Sequence, residues 1–146
     1  LTELENTVRF DSFDFNDAYV LGSALRAAGE KAPKPIAVRI VLDGMILYQS
    51  FLPGTDATNN NWMDKKQRTV QLTGTTSLRA AVERELYGAK APWQLDEEHY
   101  AFCGGGFPLY VDGQFRGAAS ISRLPHLKDH ALLCETVKGY WESKKK

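Results

Sequence analysis

Cys103-Gly-Gly-Gly-Phe-Pro-Leu-Tyr-Val-Asp-Gly-Gln-Phe-Arg-Gly-Ala-Ala-Ser-Ile-Ser122 reads as a β-hairpin entered through three consecutive glycines. Residues 109–111 form one strand, Asp112-Gly113 the turn, and residues 114–121 the return strand. Asp-Gly suits a type I′ turn because both central positions need positive φ. Glycine weakens a strand, so Gly104, Gly105 and Gly106 mark either a sharp bend or a close approach by another backbone or a ligand.

The same device occurs earlier, where Asp43-Gly44 joins residues 36–42 to residues 45–50. Helices are expected around the two hairpins. Asp14 or Asn16 can cap the first, whose apolar stripe is Ala18, Leu21, Leu25 and Ala28, with Val20 and Ala24 beside it. Gly29 and Pro33-Lys34-Pro35 end it. Trp62 opens a second helix through Val70, Thr73-Gly74 breaks it, and Ser77 caps a third with Leu78, Ala81, Val82 and Leu86 inward. Residues 92–98 read as a polar connection. Pro125 suits the first turn of a last helix with the stripe Leu127, Ala131, Cys134, Val137 and Trp141. Val8-Arg9-Phe10 reads as a short edge strand. The order α, β-β, α-α, β-β, α predicts an α+β domain spanning residues 1–146.

Composition narrows the function classes. With 18 Lys plus Arg against 18 Asp plus Glu the net charge is zero, which argues against a general nucleic-acid binder. No apolar run reaches the ~18 residues of a membrane span, and the acidic start Leu1-Thr-Glu-Leu-Glu-Asn6 lacks a signal-peptide layout. Two cysteines, Cys103 and Cys134, make no disulfide framework and read as free thiols of a cytoplasmic protein.

Three groups of residues could carry chemistry. His126, Asp129 and His130 share one helix face, a donor set suited to a transition metal or haem iron, or equally to helix-start and interface roles. Asn59-Asn60-Asn61-Trp62 with Lys65, Lys66 and Arg68 could cap a helix and offer an anion site, with Trp62 stacking on a flat ligand or anchoring a subunit contact. Ser120 and Ser122 precede the histidines, but no Gly-x-Ser-x-Gly elbow supports a hydrolase. The glycines lack the Lys and helix of a phosphate loop and precede a hairpin rather than a dinucleotide-binding helix.

Several segments together resemble one family. Gly104-Gly-Gly-Phe-Pro-Leu109, Gly113, Gly117-Ala-Ala-Ser-Ile-Ser122 and Asp129 are similar to the haem-binding-protein-S-like, or GlcG-like, superfamily with its haem-degrading domain. Phe51-Leu-Pro-Gly-Thr55 running into Asn59-Asn-Asn-Trp62, then Lys66, Arg68, Thr69 and Val70, and Leu124-Pro-His-Leu-Lys-Asp-His130, resemble its cytosolic branch, whose chemistry is largely unassigned. The resemblance extends from about Phe13 to Tyr140. It implies a profilin-like α/β/α sandwich with a five-stranded antiparallel sheet, and a homo-oligomer of dimers building into a ring or cage. It implies haem or another small ligand, with haem or a transition metal as candidate cofactors, while charge balance and run length give the expectation of no nucleic-acid or membrane partner. Relatives that hold haem through histidine use one in the N-terminal half, whereas this chain has only His99, His126 and His130.

The resulting expectation is a small planar or anionic ligand held by Asn61, Trp62, Lys66, Arg68, Gly104, Gly105 and Gly106, with His126, Asp129 and His130 as candidate metal ligands. The alternative is a non-catalytic assembly protein in which the same residues build subunit contacts. No catalytic residue or reaction is assigned.

Overall fold

Both Asp-Gly pairs hold the positive φ angles that a type I′ turn demands: 52° and 79° at Asp43 and Gly44, 50° and 76° at Asp112 and Gly113. In the computed structural model, which describes residues 2–87 and 98–145, these turns build two hairpins. The first joins β1 (Ala37–Leu42) to β2 (Met45–Phe51), and the second joins β3 (Gly106–Val111) to β4 (Gln114–Ser122). β1 and β4 pair antiparallel, Ala37 opposite Ser122 and Leu42 opposite Gly117. The sheet therefore runs β2-β1-β4-β3.

That sheet has four strands rather than the five expected. The Val8-Arg9-Phe10 segment contributes a single parallel bridge, Phe10 against Val111. Phe10 N–H donates to Tyr110 O at 3.0 Å, and Phe10 O accepts from Asp112 N–H at 2.8 Å. The ladder stops there because Arg9 N–H donates back to Thr7 O, beside the short helix α1 (Thr2–Thr7), which the sequence reading did not anticipate. The connection expected at residues 92–98 lies, up to residue 97, outside the described residues.

Alternation along the strands separates two helical layers. Val38, Ile40, Leu42, Phe107, Leu109, Val111, Ala119 and Ile121 point to one face, where they form a core with Leu21, Leu25, Leu133 and Val137. This face is covered by α2 (Phe15–Glu30) and α5 (His126–Lys144). The other is covered by α3 (Ala57–Thr73) and α4 (Ser77–Tyr87).

Local chemistry sets the helix starts. Asp14 caps α2, accepting from Asp17 N–H while Asp17 accepts from Asp14 N–H. α3 begins ahead of Trp62 because Asp56 accepts from Thr58 N–H and Asn59 Oδ1 accepts from Asp56 N–H, drawing the asparagines inside the helix. It ends at Gly74, φ 68°. Two expected stripes are corrected. On α4, Val82 and Leu86 are exposed, and the buried residues Ser77, Leu78 and Ala80 lie in its first turns. On α5, Leu127 and Ala131 face outward and Leu133 takes the core position, because buried Asp129 fixes the rotation of the helix.

Candidate functional site

α3 crosses the sheet with Lys66 turned inward, and its ammonium is the centre of the site. Lys66 is 3% exposed and Asp129, one turn into α5, is 1% exposed. Lys66 Nζ donates to Asp129 Oδ2 at 3.0 Å and to Ile121 O at 2.9 Å. Asp129 Oδ1 accepts from Leu124 N–H at 3.1 Å. Burial pushes the Asp129 carboxyl above the ordinary aspartate range, while Lys66 and the N–H groups of Leu124 and Arg123 pull it back. A buried charge survives only with such partners.

The glycine run explains how the lysine fits. Gly105 has φ 122°, and a Cβ there would lie 2.6 Å from Lys66 Nζ and 2.7 Å from Ile121 O. A Cβ on Gly104 would lie 2.2 Å from His126 O, and one on Gly106 would lie 2.7 Å from Val70 Cγ2. Each glycine admits a neighbour: the lysine head, the start of α5, or the α3 flank.

Beside the ion pair lies a cavity of about 450 Å³, within the roughly 300–1,000 Å³ typical of small-ligand sites. The amino end of α3 contributes Asp56, Thr58 and Asn59, with Trp62 and Lys66 further along the helix; β4 and the start of α5 contribute Ser122, Arg123, Leu124, His126 and Asp129. Cys103 completes the wall, and burial pushes its thiol above the usual range. Arg123 holds φ 133°, a rare conformation for a non-glycine residue, at the corner between β4 and α5.

The histidine geometry decides what the cavity could hold. His126 Nδ1 accepts from Gly104 N–H at 3.3 Å. That bond engages Nδ1 and leaves Nε2 as the ring's other hydrogen-bonding atom. His130 is outside the cavity wall, its ring 3.5 Å from Cys134 Sγ, and burial pulls its pKa down. With Asp129 engaged by Lys66 and Leu124, the structure does not bring His126, Asp129 and His130 together as a ligand set. Among the described residues no group of three or more His, Cys, Asp or Glu side chains could hold a metal.

The profile of the family described as "Haem degrading protein HbpS-like" matches residues 13–138. The chain belongs to the HbpS-like family. A UPF0303 protein of Serratia proteamaculans (strain 568) is 36% identical, covering 94% of this chain and 87% of that one. Among solved structures, the crystal structure of Ybr137w protein superposes with a TM-score of 0.88 at 25% identity, covering all of this chain and 88% of the other. The PduOC:Heme complex has the same fold, with a TM-score of 0.69 at 23% identity over 88% of this chain and 94% of that one.

In this HbpS-like chain the residues expected from sequence divide. Trp62, Lys66, His126 and Asp129 meet at the cavity. Asn61 is exposed and off its wall, and Arg68 donates outward to His99 O at 3.3 Å. Ser122, weighed in the sequence only as a nucleophile, is a wall residue, whereas Ser120 Oγ is buried with no hydrogen-bond partner among the described residues. Arg39, absent from the expectation, is buried on the α3 face of the sheet and donates to Gln49 Oε1 at 2.7 Å, Asn60 Oδ1 at 2.5 Å and Asp64 Oδ1 at 2.5 Å. Its signal was an arginine in an otherwise apolar β-branched run, which demands polar partners across the sheet.

Proposed function

We propose that this chain binds a small, flat, anionic ligand of the haem class in the cavity between α3 and α5, as a cytosolic homo-oligomer. The observation that carries this reading is the meeting of Trp62 with Lys66, Arg123 and the start of α5 around a cavity of about 450 Å³. Membership of the HbpS-like family and the fold shared with a haem complex support it. Trp62 offers an aromatic face for stacking and the cationic side chains attract acidic substituents. The donors fit the ring and carboxylates of a porphyrin, while Gly104 N–H already engages His126 Nδ1 and His130 lies off the cavity wall. The experiment is an absorbance titration of the purified chain with haem. Saturable binding that weakens several-fold in Trp62→Ala and persists in His130→Ala is expected; a response that never saturates would remove the haem class.

Assembly is a second reading, favoured by one specific surface. β2 is an edge strand with Met45, Ile46 and Phe51 exposed, and on the adjacent α2 Phe15 and Tyr19 are exposed, Tyr19 against the Tyr48 ring. An open apolar edge of this kind suits pairing with a second copy.

A further inference from the structure

Several polar groups at the deep end of the cavity, and at the exposed start of α5 beside it, hold bonding capacity that the protein does not use. Ser122 is 3% exposed, lines the cavity, and its hydroxyl has no hydrogen-bond partner among the described residues. Among the described residues Lys66 Nζ, with three protons to give, donates to Ile121 O and Asp129 Oδ2 alone. No side chain caps α5, and the N–H groups of His126 and Leu127 have no acceptor among the described residues. Where burial keeps water from a donor, as at Ser122 and Lys66, leaving it unused costs free energy until an acceptor arrives. The open amino end of a helix favours that acceptor being negative. Next to Ser122, Arg123 brings a guanidinium that makes no ion pair among the described residues.

We infer that this deep end is a subsite for one carboxylate group, received by Ser122 Oγ, Lys66 Nζ and the uncapped start of α5. The inference rests on the flat-ligand reading and names the group that anchors the ligand. Charge selects a carboxylate over a phosphate. Asp129 already shares the Lys66 ammonium at 3.0 Å, and Asp56 stands at the rim. The wall thus carries two acids, Asp56 and Asp129, against two bases, Lys66 and Arg123. A monoanion is held by the unused donors, whereas a dianion is repelled by the two acids. A planar carboxylate also accepts several hydrogen bonds at once, matching hydroxyl, ammonium and backbone donors on one side. The source is either an aromatic acid, its ring toward Trp62, or an acidic arm of a porphyrin.

The test is amide NMR of the purified chain titrated with benzoate, with neutral benzamide and with inorganic phosphate. Benzoate is expected to shift the Ser122, His126 and Leu127 resonances saturably, benzamide not at all, and phosphate more weakly. Ser122→Ala removes a hydroxyl that no protein group uses, so the fold survives, and benzoate affinity is expected to fall about tenfold, the worth of one hydrogen bond to a charged group. Equal responses to benzoate and benzamide, or benzoate shifts confined to other residues, would overturn the subsite. Iron-free protoporphyrin then separates the sources. Displacement of benzoate assigns the carboxylate to a porphyrin and supports both readings. Retained benzoate with no displacement supports the subsite for a smaller aromatic acid and overturns the haem-class reading.

Discussion

Lys66 Nζ stands 3.0 Å from Asp129 Oδ2, tying α3, on one face of the sheet, to the start of α5, on the other, past the end of β4. Both side chains are shielded from water, so the pair is as much a constraint on how the helices seat as a source of stability. Replacing one partner strands the other. Lys66→Met is expected to lose about 3–5 kcal/mol. The Lys66→Met/Asp129→Asn double variant is expected to lose clearly less than the two single losses together, because the charge left unpaired in each is gone. Urea unfolding of the four proteins gives the coupling, and additive losses would deny the pair its role.

Gly105 and Gly139 make opposite predictions from the same substitution. Gly105→Ala drives a Cβ toward Lys66 Nζ and Ile121 O at a positive φ, and is expected to cost about 2 kcal/mol or more. Gly139 lies within α5, where an added Cβ meets nothing within 4 Å, so Gly139→Ala is expected to gain about 0.5–1 kcal/mol. Thermal unfolding of both variants measures the contrast.

Glu5 supplies a pH dependence far from the cavity. Its carboxylate accepts from Thr76 N–H at 3.0 Å and Thr76 Oγ1 at 3.2 Å, and burial raises its pKa above the ordinary 4.5 despite those bonds and Arg79. The folded chain therefore keeps the proton at pH values where the unfolded chain has lost it. This contribution to stability is full below the unfolded pKa and is lost as pH rises through the folded one. Glu5→Gln, which keeps the shape without the titration, should show a weaker fall in stability with rising pH across that window. An unchanged slope in denaturation curves would contradict the assignment.

Much of this architecture could be read from the chain before any coordinates. Asp43-Gly44 and Asp112-Gly113 carry their turn geometry in two residues each, so both hairpins follow directly, although β3 begins at Gly106 and not at residue 109. Lys66, Trp62, His126 and Asp129 were also visible as candidates, but their arrangement was not. In the sequence Lys66 reads as a cation open to an anion, and the gap left by Gly105 shows that it is buried against the glycine run. The reversed stripe on α5 was hidden because Asp129 reads in the sequence as a metal ligand or a helix-start acid, and its burial turns Leu127 outward. The missing fifth strand turned on Arg9, whose N–H folds back to Thr7.

The edge strand offers a separate test of assembly. Ile46 is exposed on β2, so Ile46→Lys should leave the unfolding midpoint within about 0.5 kcal/mol of the parent in a monomer. In an oligomer joined through β2 the same change should reduce the sedimenting mass, because a charge on an edge strand opposes pairing. An unchanged mass in an oligomeric parent would place the contact elsewhere.

The central claim is that the cavity between α3 and α5 is where a ligand sits, and the two cysteines report on it directly. Cys103 lines the cavity, whereas Cys134 lies off its wall in the core, its thiol pushed up to about 12 by burial. Iodoacetamide labelling at mildly alkaline pH, followed by mass spectrometry with and without saturating iron-free protoporphyrin, compares the two sites in one sample. Selective slowing of Cys103, with Cys134 unchanged, is the predicted result. An unaltered Cys103 rate under saturating ligand would contradict the account.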